Sequence, residues 1–340
     1  LNVPSGKPGG AITQHIGAYE IEKHGNKITF IDTPGHEAFS QMRSRGAKVA
    51  DVALLVVAAD EGVKPQTKEA VLHIKQSGLP FIVAINKIDK QNADPERVKR
   101  ELVKEDVLVE SMAGKVPSVG VSAKTGKGIE ELLELILLVA EMESLKADLS
   151  IPAKGVVIES YLDKLRGPVA TLILSQGKLM PGQIIGTVSA FGKIKSLEDF
   201  QGASLSEAIP SQPAFVLGFQ SPPMVGEEFN AFYDLEAARN NLKLAERSSS
   251  RASAKVSATE EKRTTLAATE LRPEQKVLNL ILKADVLGSL EAVEEILKEL
   301  PQEKVALKLL KSGAGEITES DIKLARQTKA LILGFRVKIN

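Results

Sequence analysis

The chain has 340 residues, enough for two or three domains that each bury a core of their own. It is 43% hydrophobic and 26% charged, and its 44 basic residues equal its 44 acidic ones, which argues against nucleic-acid binding driven by bulk charge but leaves local basic patches open. The absence of Cys excludes disulfides, thiolate metal sites and Cys nucleophiles, four scattered His do not suggest zinc, and no apolar run approaches the roughly 20 residues of a membrane span.

The first residue is Leu, not Met, so a chain cut or processed at its beginning is expected. Gly9, Gly10 and Gly17 flank a lone Thr13, whose hydroxyl could reach a metal or a phosphate; an ordinary connector would read the same way. Tyr19 to Glu22 and Lys27 to Ile31 predict a hairpin turning at His24-Gly25-Asn26. Asp32-Thr33-Pro34-Gly35-His36 follows the second strand. A carboxylate at a strand end, a Pro that fixes φ and a Gly that lets its N–H approach an anion suit a phosphate-and-metal site. Asp32 would hold Mg²⁺ through water and His36 would face whatever attacks the phosphate.

Glu37 to Ala47 predicts a helix, and Val52 to Ala59 is a continuous apolar run, as in a strand covered on both faces. A helix over Gln66 to Gln76 and a strand over Phe81 to Ile85 follow. That strand delivers Asn86-Lys87-Ile88-Asp89 at its carboxyl end. Val116 to Val121 is a third apolar strand, ending in Ser122-Ala123-Lys124. Gly128 to Met142 then reads as a helix with Ile129, Leu132, Leu133, Ile136 and Val139 on one face. Such alternation predicts an α/β domain with a parallel, doubly wound sheet, whose ligands sit at the carboxyl ends of the strands.

The polar clusters at those ends carry a specific chemistry. Asp89 can accept both N1–H and the 2-amino group of guanine, a contact that adenine cannot return. Asn86 would pin the loop or reach the other base edge, the Lys87 stem would lie over the ring, and Ser122-Ala123-Lys124 would offer a backbone N–H to guanine O6 with Lys124 closing over the base. Taken singly, each cluster is also an ordinary strand-end turn. Taken together and in this order, they point to a guanine nucleotide.

Beyond the nucleotide domain, Ile151 to Lys154 reads as a linker. Val156 to Ile158, Val169 to Leu174, Ile184 to Val188, Phe215 to Leu217 and Glu228 to Phe232 are short β-rich runs between Gly and Pro turns, which predict a small barrel. Asp234 to Gln275 is polar and poor in large apolar groups, a helical or loose connector, with Ser248-Ser249-Ser250 as an interruption. Alternation returns from Lys276. Strands are predicted at Val277 to Leu282, Val305 to Leu310 and Ala330 to Val337. Helices are predicted at Ser289 to Leu300 and Glu319 to Gln327, with Ser289 and Thr318 as N-caps and Asp321 three residues after Thr318. Gly288 and Gly315 read as tight-turn residues. The domains expected are therefore 1–148, 149–233, 234–275 and 276–340.

Several of these stretches are specific enough to name a family. Gly10 to Tyr19 resembles the switch I loop, and Asp32 to Phe39 the switch II loop, of bacterial and organellar translation initiation factor 2. Ala58 to Thr67 resembles another characteristic run of that family, with Lys64 where Met is usual. Gly155 to Ser160, Arg166-Gly167-Pro168 and Gly177 to Gly182 resemble its second domain, and Lys283 to Ala292 its third. The resemblance implies a P-loop-type GTPase that uses GTP or GDP and Mg²⁺. Thr13 and Asp32 would be at the metal, Gly35 N–H would contact the γ-phosphate, and His36 would position the attacking water. It implies that the protein promotes initiator tRNA placement and ribosomal subunit joining, with the ribosome and its rRNA as partners and no membrane. Separately, Lys164, Arg166, Lys193 and Lys195 are candidate rRNA contacts by their charge, although plain barrel structure is the favoured reading for this region. The third domain would relay the nucleotide state, and formyl-Met-tRNA would be gripped by a barrel beyond Asn340.

No G-x-x-x-x-G-K-[Ser/Thr] phosphate loop occurs in these 340 residues. A chain that truly began at Leu1 would lose about 10³ to 10⁶ in GTP affinity and would hydrolyse essentially none, so GTPase activity is expected of the complete protein only. Rival readings are an elongation-type translational GTPase and a non-hydrolysing ribosome-binding protein with a relic nucleotide domain. Lys64, the short Ala113-Gly114-Lys115 region and the Ser-rich connector favour a mitochondrial matrix protein over a bacterial cytoplasmic one.

Overall fold

The structure, a computed structural model, describes residues 17–33, 40–163, 165–240, 276–301 and 305–339. The chain divides into two compact units, the first comprising the residues up to Ala147 other than Ala18–Glu20, and the second those three residues and the chain from Asp148 onward. The predicted connector lies outside the described residues apart from its first turn of helix, α5 (235–240).

Near the start of the described residues, β1 (Gly17–Lys23) and β2 (Asn26–Asp32) form the expected hairpin, turning through His24 and Gly25, both at positive φ. The helix predicted after the Asp32 turn is α1 (Ser40–Val49). It is followed by β3 (Ala53–Ala58), α2 (Pro65–Ser77), β4 (Phe81–Asn86), α3 (Pro95–Val103), β5 (Ser118–Gly120) and α4 (Ile129–Met142). The strands β3-β4-β5 are parallel with β4 central, and their registers bring the carboxyl ends level, with Ala58 opposite Asn86 and Ile85 opposite Gly120.

Side-chain alternation sorts the apolar residues onto two faces of this sheet. Leu55, Val57, Val83 and Ile85 pack with Val71 of α2 and with Val98 and Leu102 of α3. Ile82 and Ala84 pack with Leu132, Leu133, Ile136 and Val139 of α4, the stripe expected from the sequence. Val56 departs from expectation. It stands on the α4 face of β3 and is 55% exposed, because among the described residues α4 covers the middle of the sheet and not the outer part of this edge strand.

Helix α3 was not expected from the sequence, though its signals are present. Asp94 caps it by accepting a hydrogen bond from Arg97 N at 2.8 Å, and Pro95 occupies the first turn, where a missing N–H is harmless. Only Val98 and Leu102 face the core, so the segment reads as polar unless the i, i+4 spacing is noticed.

The second unit opens with a closed antiparallel barrel in the order β10-β7-β6-β11-β8-β9. Its strands are β6 (Lys154–Asp163), β7 (Gly167–Gln176), β8 (Ile184–Gly186), β9 (Phe191–Glu198), β10 (Pro213–Phe219) and β11 (Glu228–Phe232). Lys154, expected in a linker, begins β6. The unexpected strand is β9, in which buried Gly192 and Ile194 alternate with exposed Lys193 and Lys195 before an irregularity in its pairing with β10 brings Leu197 inward. Closure depends on the crossing of β9 and β10, where a Cβ on Gly192 would collide with Gly218 O.

A three-stranded parallel sheet, β13-β12-β14, completes the unit. It consists of β12 (Lys276–Ala284), β13 (Val305–Ala314) and β14 (Leu331–Phe335), with helices α6 (Leu287–Glu299) and α7 (Glu319–Thr328). Thr318 and Asp321 form the expected capping box, Thr318 N donating to Asp321 Oδ2 at 2.9 Å. Ser289 is not an N-cap. Helix α6 begins two residues earlier with Val286 in the cap position, and Ser289 lies fully buried inside the first turn beside Gly288, which is helical and not a turn residue. Gly315 does adopt positive φ, at 103°.

Candidate functional site

The carboxyl ends of β3, β4 and β5 bring three sequence-distant segments to one edge of the sheet. Asn86 joins two of them. Its Oδ1 accepts from Lys87 N at 2.7 Å and from Ala123 N at 3.1 Å, so one side chain tightens its own turn and also ties β4 to the loop after β5. The Ala123 amide is thereby taken up within the protein.

Asp89 and Ser122 meet across the same junction, the Ser122 hydroxyl donating to Asp89 Oδ1 at 2.6 Å. This bond is the main reason that the Asp89 carboxyl is held below the usual carboxylate range, with the positive charges of Lys124 and Lys90 acting in the same direction. Asp89 is exposed, so any penalty for leaving it unpaired would arise only once a base covers it. Ser122 is fully buried; its N donates to Lys127 O at 2.8 Å and its Oγ accepts from Thr125 N at 3.2 Å. The loop closes at Gly128, with φ at 76° and its Cα so near Gly120 O that no Cβ would fit.

Lys87 points the other way. Its backbone is left-handed, with φ at 63°, and its Nζ lies 2.7 Å from Glu61 Oε1 and 3.7 Å from Asp60 Oδ1, both in the turn after β3. Lys90 Nζ pairs with Asp60 Oδ2 at 2.5 Å. These cations hold the Asp60 carboxyl low, the Lys90 bond being the largest influence, although only 7% of the Asp60 side chain is exposed. Helix α3 clamps the turn from behind: Arg97 Nη2 donates to Asp60 O at 3.0 Å, and Val63 N donates to Glu101 Oε2 at 2.8 Å. Asp60, Glu61, Arg97 and Glu101 were not singled out as functional from the sequence. The signals available were an acidic pair directly after an apolar strand and the Asp94-Pro95 helix start.

Asp32 is at the exposed end of β2. Thr13, Gly35 and His36 lie outside the described residues. Among the described residues no group of three or more His, Asp and Glu is placed to hold a metal ion.

Residues 8–142 match the family model described as Elongation factor Tu GTP binding domain, residues 152–232 match Elongation factor G domain 2, and residues 251–340 match Translation-initiation factor 2. Translation initiation factor IF-2 of Rubrobacter xylanophilus is 47% identical over 337 residues, 99% of this chain and 48% of that protein. The chloroplastic translation initiation factor IF-2 of Euglena gracilis is 47% identical over 350 residues, 99% of this chain and 41% of that one. The chain belongs to the translation initiation factor 2 family.

Within this family the chain spans about half the length or less of the relatives just named. Among solved structures it is similar to GDP-bound aIF5B from Aeropyrum pernix, at 25% identity and a TM-score of 0.56, covering 98% of this chain and 64% of that one. It is also similar to translation elongation factor SelB from Methanococcus maripaludis in complex with the GTP analogue GppNHp, at 26% identity and a TM-score of 0.51, covering 66% of this chain and 50% of that one. In this chain the α/β GTPase domain is followed by a closed barrel, in the order of the two matching domain models. The match over residues 251–340 places the third domain with initiation factors and not with elongation-type ones.

Proposed function

We propose that the full-length protein is a GTP-hydrolysing translation initiation factor that promotes initiator tRNA placement and subunit joining on the ribosome. The observation that supports this most directly is the assembly of Asn86, Asp89, Ser122 and Ala123 at adjacent strand ends, in a chain of the initiation-factor 2 family. A carboxylate has about four lone-pair directions, and Ser122 takes one of them. Asp89 therefore retains the capacity to accept from both N1–H and the 2-amino group of guanine, while the Lys87 stem borders the ring.

The remaining roles follow from family membership and are part of the same proposal. Thr13 and Asp32 would hold Mg²⁺, whose charge offsets that of the phosphates when bound. Gly35 N–H would donate to the γ-phosphate, and His36 would accept from and orient the attacking water. In the barrel, Lys193 and Lys195 stand exposed on β9, whereas Arg166 is paired with Glu198 at 2.9 Å; the two lysines are the stronger candidates for rRNA contact. Formyl-Met-tRNA would bind through a part of the protein beyond these residues.

The site of action is wherever bacterial-type translation runs, since the relatives are bacterial and chloroplastic factors. Lys64, the Ala113-Gly114-Lys115 region and the Ser-rich connector support the mitochondrial matrix, with the bacterial cytoplasm as the second reading. Imaging the tagged protein in cells of its source distinguishes them.

Asp89→Asn in the full-length protein tests the nucleotide reading. An amide donates where the carboxylate accepted, so preference is expected to move from guanosine toward xanthosine triphosphate. An unchanged choice of purine would overturn the assignment.

A further inference from the structure

The motif Asn86-Lys87-Ile88-Asp89 is anchored from two opposite sides. β4 is the central strand, and Asp89 is held toward β5 by Ser122 while the Lys87 ammonium is held toward β3 by Glu61. We propose that Glu61 is a positioning residue for nucleotide binding, one that fixes the Lys87 side chain in an extended course so that its methylene stem forms a wall of the guanine site.

Four observations support this reading, which rests on the nucleotide assignment above. Lys87 is fastened at both ends, its N–H to Asn86 Oδ1 at 2.7 Å and its Nζ to Glu61 Oε1 at 2.7 Å, so the stem between them has few rotamers left to lose when a base arrives. Its left-handed backbone, unusual for a residue with a long side chain, aims it at the β3 turn. That turn is itself rigid, with Gly62 at φ 77° and Glu101 filling the space where a Cβ would stand. Finally, Asp60 Oδ1 is buried with no hydrogen-bond partner and lies 3.7 Å from Lys87 Nζ, so it adds attraction without taking the ammonium away from Glu61. The mutual contact raises the Lys87 pKa and lowers that of Glu61, consistent with a formed ion pair.

The pair is partly exposed, and its effect is correspondingly modest. In the full-length protein, Glu61→Gln is expected to raise the GDP dissociation rate about two- to fivefold at low salt, with a smaller ratio at high salt and an unchanged thermal midpoint. Glu61→Asp should recover part of the loss. Once Lys87→Met has removed the ammonium, adding Glu61→Gln should change nothing further. A Glu61→Gln protein that releases GDP like wild type would overturn the proposal. So would a Glu61→Gln effect that persists in full in the Lys87→Met background. If wild type fails to bind GDP at all, the nucleotide assignment falls, and that outcome is distinct from either of these.

Discussion

The hydroxyl of Ser122 donates to Asp89 Oδ1 at 2.6 Å, joining a residue after β4 to one after β5 across 33 positions of sequence. The carboxylate is thus aimed, and its pKa held below the ordinary range, by a fully buried neighbour before any ligand arrives. Ser122→Ala should raise the Asp89 pKa toward the ordinary value and free the side chain to rotate. Guanine-nucleotide affinity should fall about tenfold. Titration calorimetry with GDP and NMR titration of the Asp89 carboxyl check the two effects.

Asn86 serves two amides with one oxygen, at 2.7 and 3.1 Å. Asn86→Ala strands both donors at the edge of the sheet. It should lower stability by about 1–3 kcal/mol and loosen both loops together. Urea denaturation of the full-length protein, with nucleotide dissociation measured in parallel, would show the two losses side by side.

Gly128 combines φ at 76° with contact against the backbone of Gly120, immediately before α4. Gly128→Ala should destabilise the nucleotide domain by about 2–4 kcal/mol, through both a disfavoured dihedral and overpacking. Hydrogen exchange of the β4 and β5 amides is the measurement, and faster exchange there with an unaffected barrel is the expected pattern.

Asp321 is fully buried, accepting from Lys311 Nζ at 2.6 Å and from Thr318 N at 2.9 Å, with Lys283 Nζ at 3.5 Å. Burial alone would raise its pKa; the bonds from Lys311 and Thr318 and the charge of Lys283 outweigh that effect and depress it well below the usual carboxylate range. A depressed folded pKa stabilises above the unfolded value and loses that contribution as pH falls through the folded one. Asp321 should therefore contribute fully above about pH 5, and its contribution should decline from about pH 4 downward. Asp321→Asn leaves Lys283 largely buried beside a neutral amide. It should cost about 3–5 kcal/mol at neutral pH and flatten the acid limb of stability in the third domain, as followed by exchange of the β12 amides across a pH series.

Much of this organisation is legible in the chain itself. Apolar runs of strand length alternating with amphipathic stretches determine parallel sheets, and the order Asp32, Asn86, Ser122 points to the strand ends proposed as the nucleotide site. Thr318 and Asp321 announce the start of α7 because a capping box is a contact three residues long. Local periodicity is sufficient wherever the interaction partners are sequence neighbours.

What the sequence could not determine depends on the alignment of separate strands. The level ends of β3 and β4 are what bring Glu61 to Lys87, and α3 acquires its role only by touching Asp60 and Val63 across the loops. Val56 looked like core because apolar residues read alike whether or not a neighbour covers them, and Ser289 looked like a cap because the true start of α6 lacks a capping side chain. Residue type and spacing settle which groups exist and on which strand end. Only the folded registers decide which of those groups meet, because hydrogen bonds and ion pairs between distant segments depend on distances of a few ångströms that no single segment contains.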